Sequence, residues 1–222
     1  MFKKVLIAED LDSISLAVHK TIQALEISEI VHVKYCDDAI LKIKKAVQDN
    51  QPFDLLLTDL SFKSDHRKTV LSSGEDLIQN AKKLQPNLKV LVYSVEDKTF
   101  RIKHLFDNLN INAFVLKGRK SLKELETAIP IIFKENTKYI SPEMGGVLLQ
   151  KSAFEIDDFD IQLIKQLSLG IAQDRMELRF KELGIVPNSK SSIEKRLGKL
   201  KDHFKANNTV HLIAIAKDLG IT

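Results

Sequence analysis

Asp54-Leu55-Leu56-Leu57-Thr58-Asp59-Leu60 holds a short apolar run that ends at a carboxylate. Three leucines in succession leave no residue for a solvent face, the pattern of a strand covered on both sides in a parallel sheet. Four similar runs lie around it. Val5-Leu6-Ile7-Ala8 and Ile30-Val31-His32-Val33 precede it; Val90-Leu91-Val92-Tyr93 and Ala113-Phe114-Val115-Leu116 follow. The intervals carry apolar residues at helical spacing. These are Ile14, Val18, Ile22 and Leu25; Ile40, Ile43 and Val47; Leu77, Ile78, Ala81 and Leu84; Ile102, Leu105, Phe106 and Leu109; and Leu122, Leu125, Ile129 and Ile132. Five strands alternating with five helices predict a doubly wound α/β domain with a five-stranded parallel sheet over residues 1–134.

Beyond residue 134 the alternation stops. Tyr139-Ile140-Ser141-Pro142-Glu143 reads as a turn into a short helix, because Ser caps helices and Pro suits their first position. Residues 135–154 are expected to form a linker around it. From 155 to 222 the pattern is helical only, so a small all-α domain is expected. Ile161, Ile164 and Leu167 make one face, closed by Gly170; Met176, Phe180 and Leu183 a second, closed by Gly184. Ile193, Leu197, Leu200 and Phe204 make a third, opened by Ser189 or Ser191. A fourth runs from Val210 to Lys217 and is closed by Gly220. Signals of this kind mark helix ends.

Composition narrows the class. The chain has 222 residues, 44% hydrophobic and 29% charged, with a net charge of +4. That is globular and only mildly basic. One cysteine, Cys36, cannot form an intrachain disulfide or a Cys-rich zinc site, and it fits a reducing compartment. Val5–Ala8 is too short for a signal peptide, and no later run approaches a membrane span. A cytoplasmic protein without a membrane partner is expected. The six histidines show no metal spacing, and there is no P-loop, dinucleotide fingerprint or nucleophile elbow.

Ligands of open α/β sheets bind outside the carboxyl ends of the strands. Glu9 and Asp10 follow the first strand, Asp59 the third; Ser94 ends the fourth and Lys117 follows the fifth. Three clustered carboxylates repel one another and invite a hard divalent cation such as Mg²⁺. A carboxylate beside that metal can attack a phosphoryl group, whose oxygens the metal, a lysine and a hydroxyl then neutralise. Asp59, on the central strand, is the expected nucleophile. Asp10 is the expected direct metal ligand, Glu9 an outer one, and the carbonyl of Ser61 a further oxygen.

Lys4-Val5-Leu6-Ile7-Ala8-Glu9-Asp10, the run from Asp54 to Leu60, Val92-Tyr93-Ser94 and Ala113-Phe114-Val115-Leu116-Lys117 resemble the receiver domain of two-component response regulators. The resemblance implies a flavodoxin-like strand order, 2-1-3-4-5. It also implies phosphorylation of Asp59 by a histidine kinase or phosphotransfer protein, with Ser94 and Phe114 as the switch pair behind the phosphoryl group. Such a protein is a phosphoacceptor rather than an enzyme with turnover; its only reactions are Mg²⁺-dependent self-phosphorylation and dephosphorylation. Two features depart from the family. The segment Leu60 to Ser73 is long, lacks proline and carries Lys63, His66, Arg67 and Lys68; it reads as a surface insertion. Val95 stands after Ser94, where a small residue is common.

The C-terminal segment resembles a LuxR/FixJ (NarL)-type helix-turn-helix domain. The resemblance rests on Leu163-Ile164-Lys165-Gln166-Leu167-Ser168-Leu169-Gly170, Ser192-Ile193-Glu194-Lys195-Arg196-Leu197 and Phe204-Lys205-Ala206-Asn207-Asn208-Thr209. Between Lys190 and Lys205 six basic residues face two acidic ones. With Ile193 and Leu197 inward, Lys190, Lys195, Arg196 and Lys199 are the expected contacts to double-stranded DNA. Glu194 stands where the family usually has a basic residue, and the interval from Met176 to Ile193 is longer than the family's. The reading overall is a homodimeric response regulator whose phosphorylation controls DNA binding and transcription. The alternative is a phosphorylation-switched protein-interaction adaptor whose helix-turn-helix does not bind DNA. A hydrolase using Asp10 and Asp12 fits less well, because it leaves Asp59 and Lys117 without a role.

Overall fold

The computed structural model describes residues 1–63, 69–134, 137–145 and 156–221. It divides into two compact units, Met1–Asp97 with Ile102–Gly145 making up the first, and the helices from Asp158 onward lying in the second. The first unit alternates as expected. Its elements are β1 (Lys4–Ala8), α1 (Asp12–Gln23), β2 (Glu29–Val33), α2 (Cys36–Gln48), β3 (Leu55–Thr58), α3 (Gly74–Leu84), β4 (Lys89–Ser94), α4 (Thr99–Asp107), β5 (Ala113–Leu116) and α5 (Ser121–Lys134).

Leu55, Leu56 and Leu57 are all fully buried, and alternation along the strand explains why. Leu55 and Leu57 pack with Val18 and Ile22 of α1 and with Leu125, Ile129 and Ile132 of α5. Leu56 points to the opposite face, the one taken by α2 and α3, which pack on each other. Burial of each such leucine is worth about 1.5–3 kcal/mol. Along α2, Cys36, Ala39, Ile43 and Ala46 are buried, whereas Val47, expected inward, is exposed. The small side chains let α2 lie close to its neighbour, and that rotation turns Val47 out.

The sheet is wholly parallel, in the order β2-β1-β3-β4-β5-β6. The expected 2-1-3-4-5 core is present, and β6 (Tyr139–Ile140) extends it by one short strand. This corrects the reading of that stretch as linker. Two residues are too few for a period, and the bonds that fix them come from elsewhere in the chain. Tyr139 N donates to Asn112 O (3.0 Å) and Ser141 N to Phe114 O (3.0 Å). The Ser141 hydroxyl accepts from Leu116 N at 2.8 Å and donates to the Glu124 carboxylate. A 3₁₀ turn at Pro142–Met144 follows. The remainder of the expected linker, 146–154, lies outside the described residues.

The second unit comprises α6 (Asp158–Ser168), a 3₁₀ turn at Gln173–Arg175, α7 (Met176–Glu182), α8 (Lys190–His203) and α9 (Thr209–Asp218). Side-chain caps set the starts of three helices. Asp157 and Asp160 form a reciprocal capping box on α6, Ser189 caps α8 and Asn208 caps α9. Leu163, Ile164, Met176, Phe180, Ile193, Leu197, Leu200, Leu212 and Ala216 form the core. Among the described residues no helix is long and apolar enough to cross a membrane.

Candidate phosphoacceptor site and nucleic-acid interface

The parallel register brings the predicted groups of the first unit to one rim. Ala8 pairs with Thr58 and Ser94 with Leu116, so the residues that follow emerge side by side. The ladder runs one residue past the strands: Asp59 N donates to Ala8 O (3.1 Å), Glu9 N to Val33 O (3.1 Å) and Lys117 N to Ser94 O (2.7 Å). This extension fixes the backbone under each side chain.

Lys117 is the hub. Its Nζ lies 2.6 Å from Asp59 Oδ2 and 2.7 Å from Glu9 Oε2, and it sits over the Tyr93 ring at 5.3 Å. Glu9 is 1% and Asp59 6% exposed, so these charges face one another rather than bulk water. Burial raises the Glu9 pKa, against the pull of Lys117. Burial alone would lower Lys117, but the bonds and charges of Asp59 and Glu9 outweigh it and raise its pKa, so the ammonium stays charged. The other Asp59 oxygen, Oδ1, accepts from Leu60 N at 2.6 Å and lies 3.4 Å from Ser61 N. The carboxylate is thereby held with one oxygen on the backbone and one on the ammonium. Ser94 Oγ is buried and has no hydrogen-bond partner among the described residues. Phe114 is fully buried, and Ser141 of the segment after β6 bonds its carbonyl. Val95 is 67% exposed and turned out to solvent.

Asp10 stands slightly apart, its Oδ2 accepting from Lys63 N at 2.9 Å. Ser61 bridges to Ser73 in an antiparallel pair. Asp12 is exposed and paired with Lys34 at 2.7 Å, which separates it from the rim. Among the described residues no three His, Cys, Asp or Glu side chains form a ready metal cage, because Lys117 holds Glu9 and Asp59. The donor chemistry nevertheless suits Mg²⁺. Every candidate ligand is an oxygen, and three carboxylates stand against one ammonium.

Gly74, which the sequence pattern does not single out, also lies at the rim. It opens α3 directly behind Ser73, whose hydroxyl caps that helix through Asp76 N. A methyl group at Gly74 would lie 2.0 Å from the Asp59 carbonyl oxygen. The glycine therefore lets α3 sit against the backbone of Asp59. The one signal in the sequence was a glycine behind a capping serine, which is common at helix starts that touch nothing. His66, Arg67 and Lys68, noted in the long segment, lie outside the described residues.

In the second unit α8 presents Lys190, Lys195 and Lys199 to solvent, with Glu194 and Asp202 beside them. Arg196 departs from expectation. Its guanidinium binds Asp160 at 2.5 Å and Asp157 at 2.7 Å, so its fork is turned back onto the start of α6. Asp160 is fully buried, and burial raises its pKa against the pull of Arg196. The physical reason is that a buried carboxylate demands a partner, and Arg supplies a two-pronged one. Asp157 and Asp160 thus anchor Arg196 as well as capping α6.

No protein-family model matches the sequence, and no curated protein does. Solved structures match across nearly the whole chain. A structure of two RcsB dimers bound to two parallel DNAs aligns with TM-score 0.63 at 18% identity, covering 97% of this chain and 98% of that one. An RcsB response regulator from Salmonella typhimurium gives 0.63 at 18%, covering 96% and 98%. RcsB from Salmonella enterica serovar Typhimurium, bound to a promoter in the presence of the phosphomimetic BeF₃⁻, gives 0.61 at 20%, covering 95% and 96%. The fold is that of a two-domain response regulator. Within that fold the α/β unit takes the place of the N-terminal domain of those structures and the helical unit that of their C-terminal domain.

Proposed function

We propose that this chain is a response regulator in which phosphorylation of Asp59 controls binding to double-stranded DNA, and through it transcription. The observation that carries the reading is the Asp59–Lys117–Glu9 cluster at the carboxyl rim of the sheet, beside the buried Ser94 hydroxyl, which has no partner among the described residues. Asp59 Oδ attacks the phosphorus of a phosphohistidine on a kinase or phosphotransfer protein, or of a small phosphodonor. An O–P bond forms as the bond to the donor breaks, and the donor leaves. Lys117 neutralises a phosphoryl oxygen, and Ser94 Oγ donates to another. Mg²⁺, held by Glu9, Asp10, Asp59 and the Ser61 carbonyl, supplies further charge neutralisation when bound. Rearrangement at Ser94 acts on Phe114 and on the strand that carries it. Transfer is stoichiometric, so the protein is a phosphoacceptor and not a turnover enzyme.

Two of the RcsB structures are bound to DNA, one of them as dimers, which supports DNA and a second copy of this chain as partners. Lys190, Lys195 and Lys199 are its exposed cations on α8. The unpaired Cys36 and the kinase requirement fit a cytoplasmic setting. The adaptor reading draws support from one observation, the withdrawal of Arg196 onto α6 beside an exposed Glu194. The phosphoacceptor assignment is tested by labelling with a small phosphodonor. Mg²⁺-dependent gain of one phosphoryl group is expected for the wild type and none for Asp59→Asn; retained labelling would place the nucleophile elsewhere.

A further inference from the structure

Two glycines lie within helices among the described residues, Gly74 and Gly198. Gly74 has an internal reason, the Asp59 carbonyl behind it. Gly198 has none. It sits in the middle of α8 with ordinary helical backbone, and a methyl group built there meets no atom within 4 Å. Glycine inside a helix weakens it relative to alanine, so the chain carries a cost here that its own packing does not explain.

The helical geometry says where that gap opens. Ile193, Leu197 and Leu200 are buried, so the opposite side of α8 holds Ser191, Lys195, Gly198 and Asp202, with Lys199 next to them. Lys195 and Lys199 lie three residues before and one after the glycine. Arg196, the longest side chain of this stretch, is drawn off that face by Asp157 and Asp160. The outward surface is thus low at the glycine, with Lys195, Lys199 and Lys201 around it and the exposed carboxylates Glu194 and Asp202 four residues to either side. Three lysines against two carboxylates leave the surroundings of this low strip net cationic, which complements a polyanion pressed closely against the helix backbone.

Resting on the DNA-binding reading above, we propose that Gly198 is the close-approach point of α8. There the helix backbone lies flush in the major groove while Lys195 and Lys199 hold phosphates on either side. A side chain at 198 would lift the helix and shorten the reach of both lysines. Gly198 is a positioning residue, so its effect differs from the loss of a phosphate contact.

The test uses the full chain and a duplex enriched by it from a random pool. Gly198→Ala and Gly198→Leu replace glycine by good helix formers, and circular dichroism checks that helix content and thermal stability do not fall. Affinity is expected to drop about tenfold for Ala and on the order of a hundredfold for Leu. The salt dependence of binding should stay that of the wild type, because no cation is removed. Leucine binding as tightly as glycine would overturn the proposal. A wild-type chain that enriches no duplex would instead remove the DNA reading, and the proposal with it; the two failures are distinguished by the wild type alone.

Discussion

Lys117 and Lys195 carry the same charge and live by different rules. Lys117 is buried at the sheet rim between two carboxylates, each within 2.7 Å. Lys195 stands exposed on α8. In the α/β unit the topology dictates the gathering. Parallel strands in register must deliver whatever follows them to one edge, and the low local dielectric makes each pairing matter. In the helical unit nothing gathers the charges except the helix surface, and exposed charges repel or ignore one another cheaply. Arg196 is the exception that marks the boundary between the two regimes. It lies on the cationic helix, yet it behaves like Lys117 because Asp160 beneath it is fully buried.

The sharpest way to break this contrast is to remove two cations from the same helix. Arg196→Ala leaves Asp160 buried without its partner and should destabilise the second unit by about 3 kcal/mol. Lys195→Ala should change it by no more than about 0.5 kcal/mol. Urea unfolding of the full chain measures both; equal effects would mean that the Asp157–Asp160–Arg196 cluster is a surface ornament. Next in size is Gly74→Ala. Its methyl overlaps the Asp59 carbonyl at 2.0 Å, so a loss of about 2 kcal/mol is expected in the first unit, together with slower labelling of Asp59. Unchanged stability and labelling would show that α3 yields without moving Asp59. The smallest effect concerns Cys36, buried at the start of α2 with its thiol pushed up to about 12, first by burial and then by nearby acids. The native chain should resist alkylation at neutral pH and react fully in denaturant; rapid native reaction would show that this end of α2 opens readily.

The sheet and its rim were legible because period and position coincide. Leu55-Leu56-Leu57 admits one reading, and Glu9, Asp59, Ser94 and Lys117 are found at strand ends by counting. Strand β6 was not legible, since its two residues are fixed by bonds from Asn112, Phe114, Leu116 and Glu124, all distant in sequence. Gly74 and Arg196 were hidden for a related reason. Each owes its role to a group fifteen or more residues away in the chain, Asp59 in one case and Asp157 with Asp160 in the other. A helix face assigned by periodicity puts Arg196 on an outward flank, and only the burial of Asp160 turns it back. The exposed lysines Lys190, Lys195 and Lys199 were easily placed, but periodicity carries no information about what meets them.

The central claim is that the state of Asp59 governs how the helical unit meets DNA. Its most direct test is the affinity of the full chain for a duplex enriched from a random pool, measured with and without a small phosphodonor and Mg²⁺. The account predicts a specific duplex whose affinity changes about tenfold on phosphorylation, an effect absent from Asp59→Asn. Full phosphorylation of Asp59 with no duplex bound in either state would contradict it and leave a phosphorylation-switched adaptor in its place.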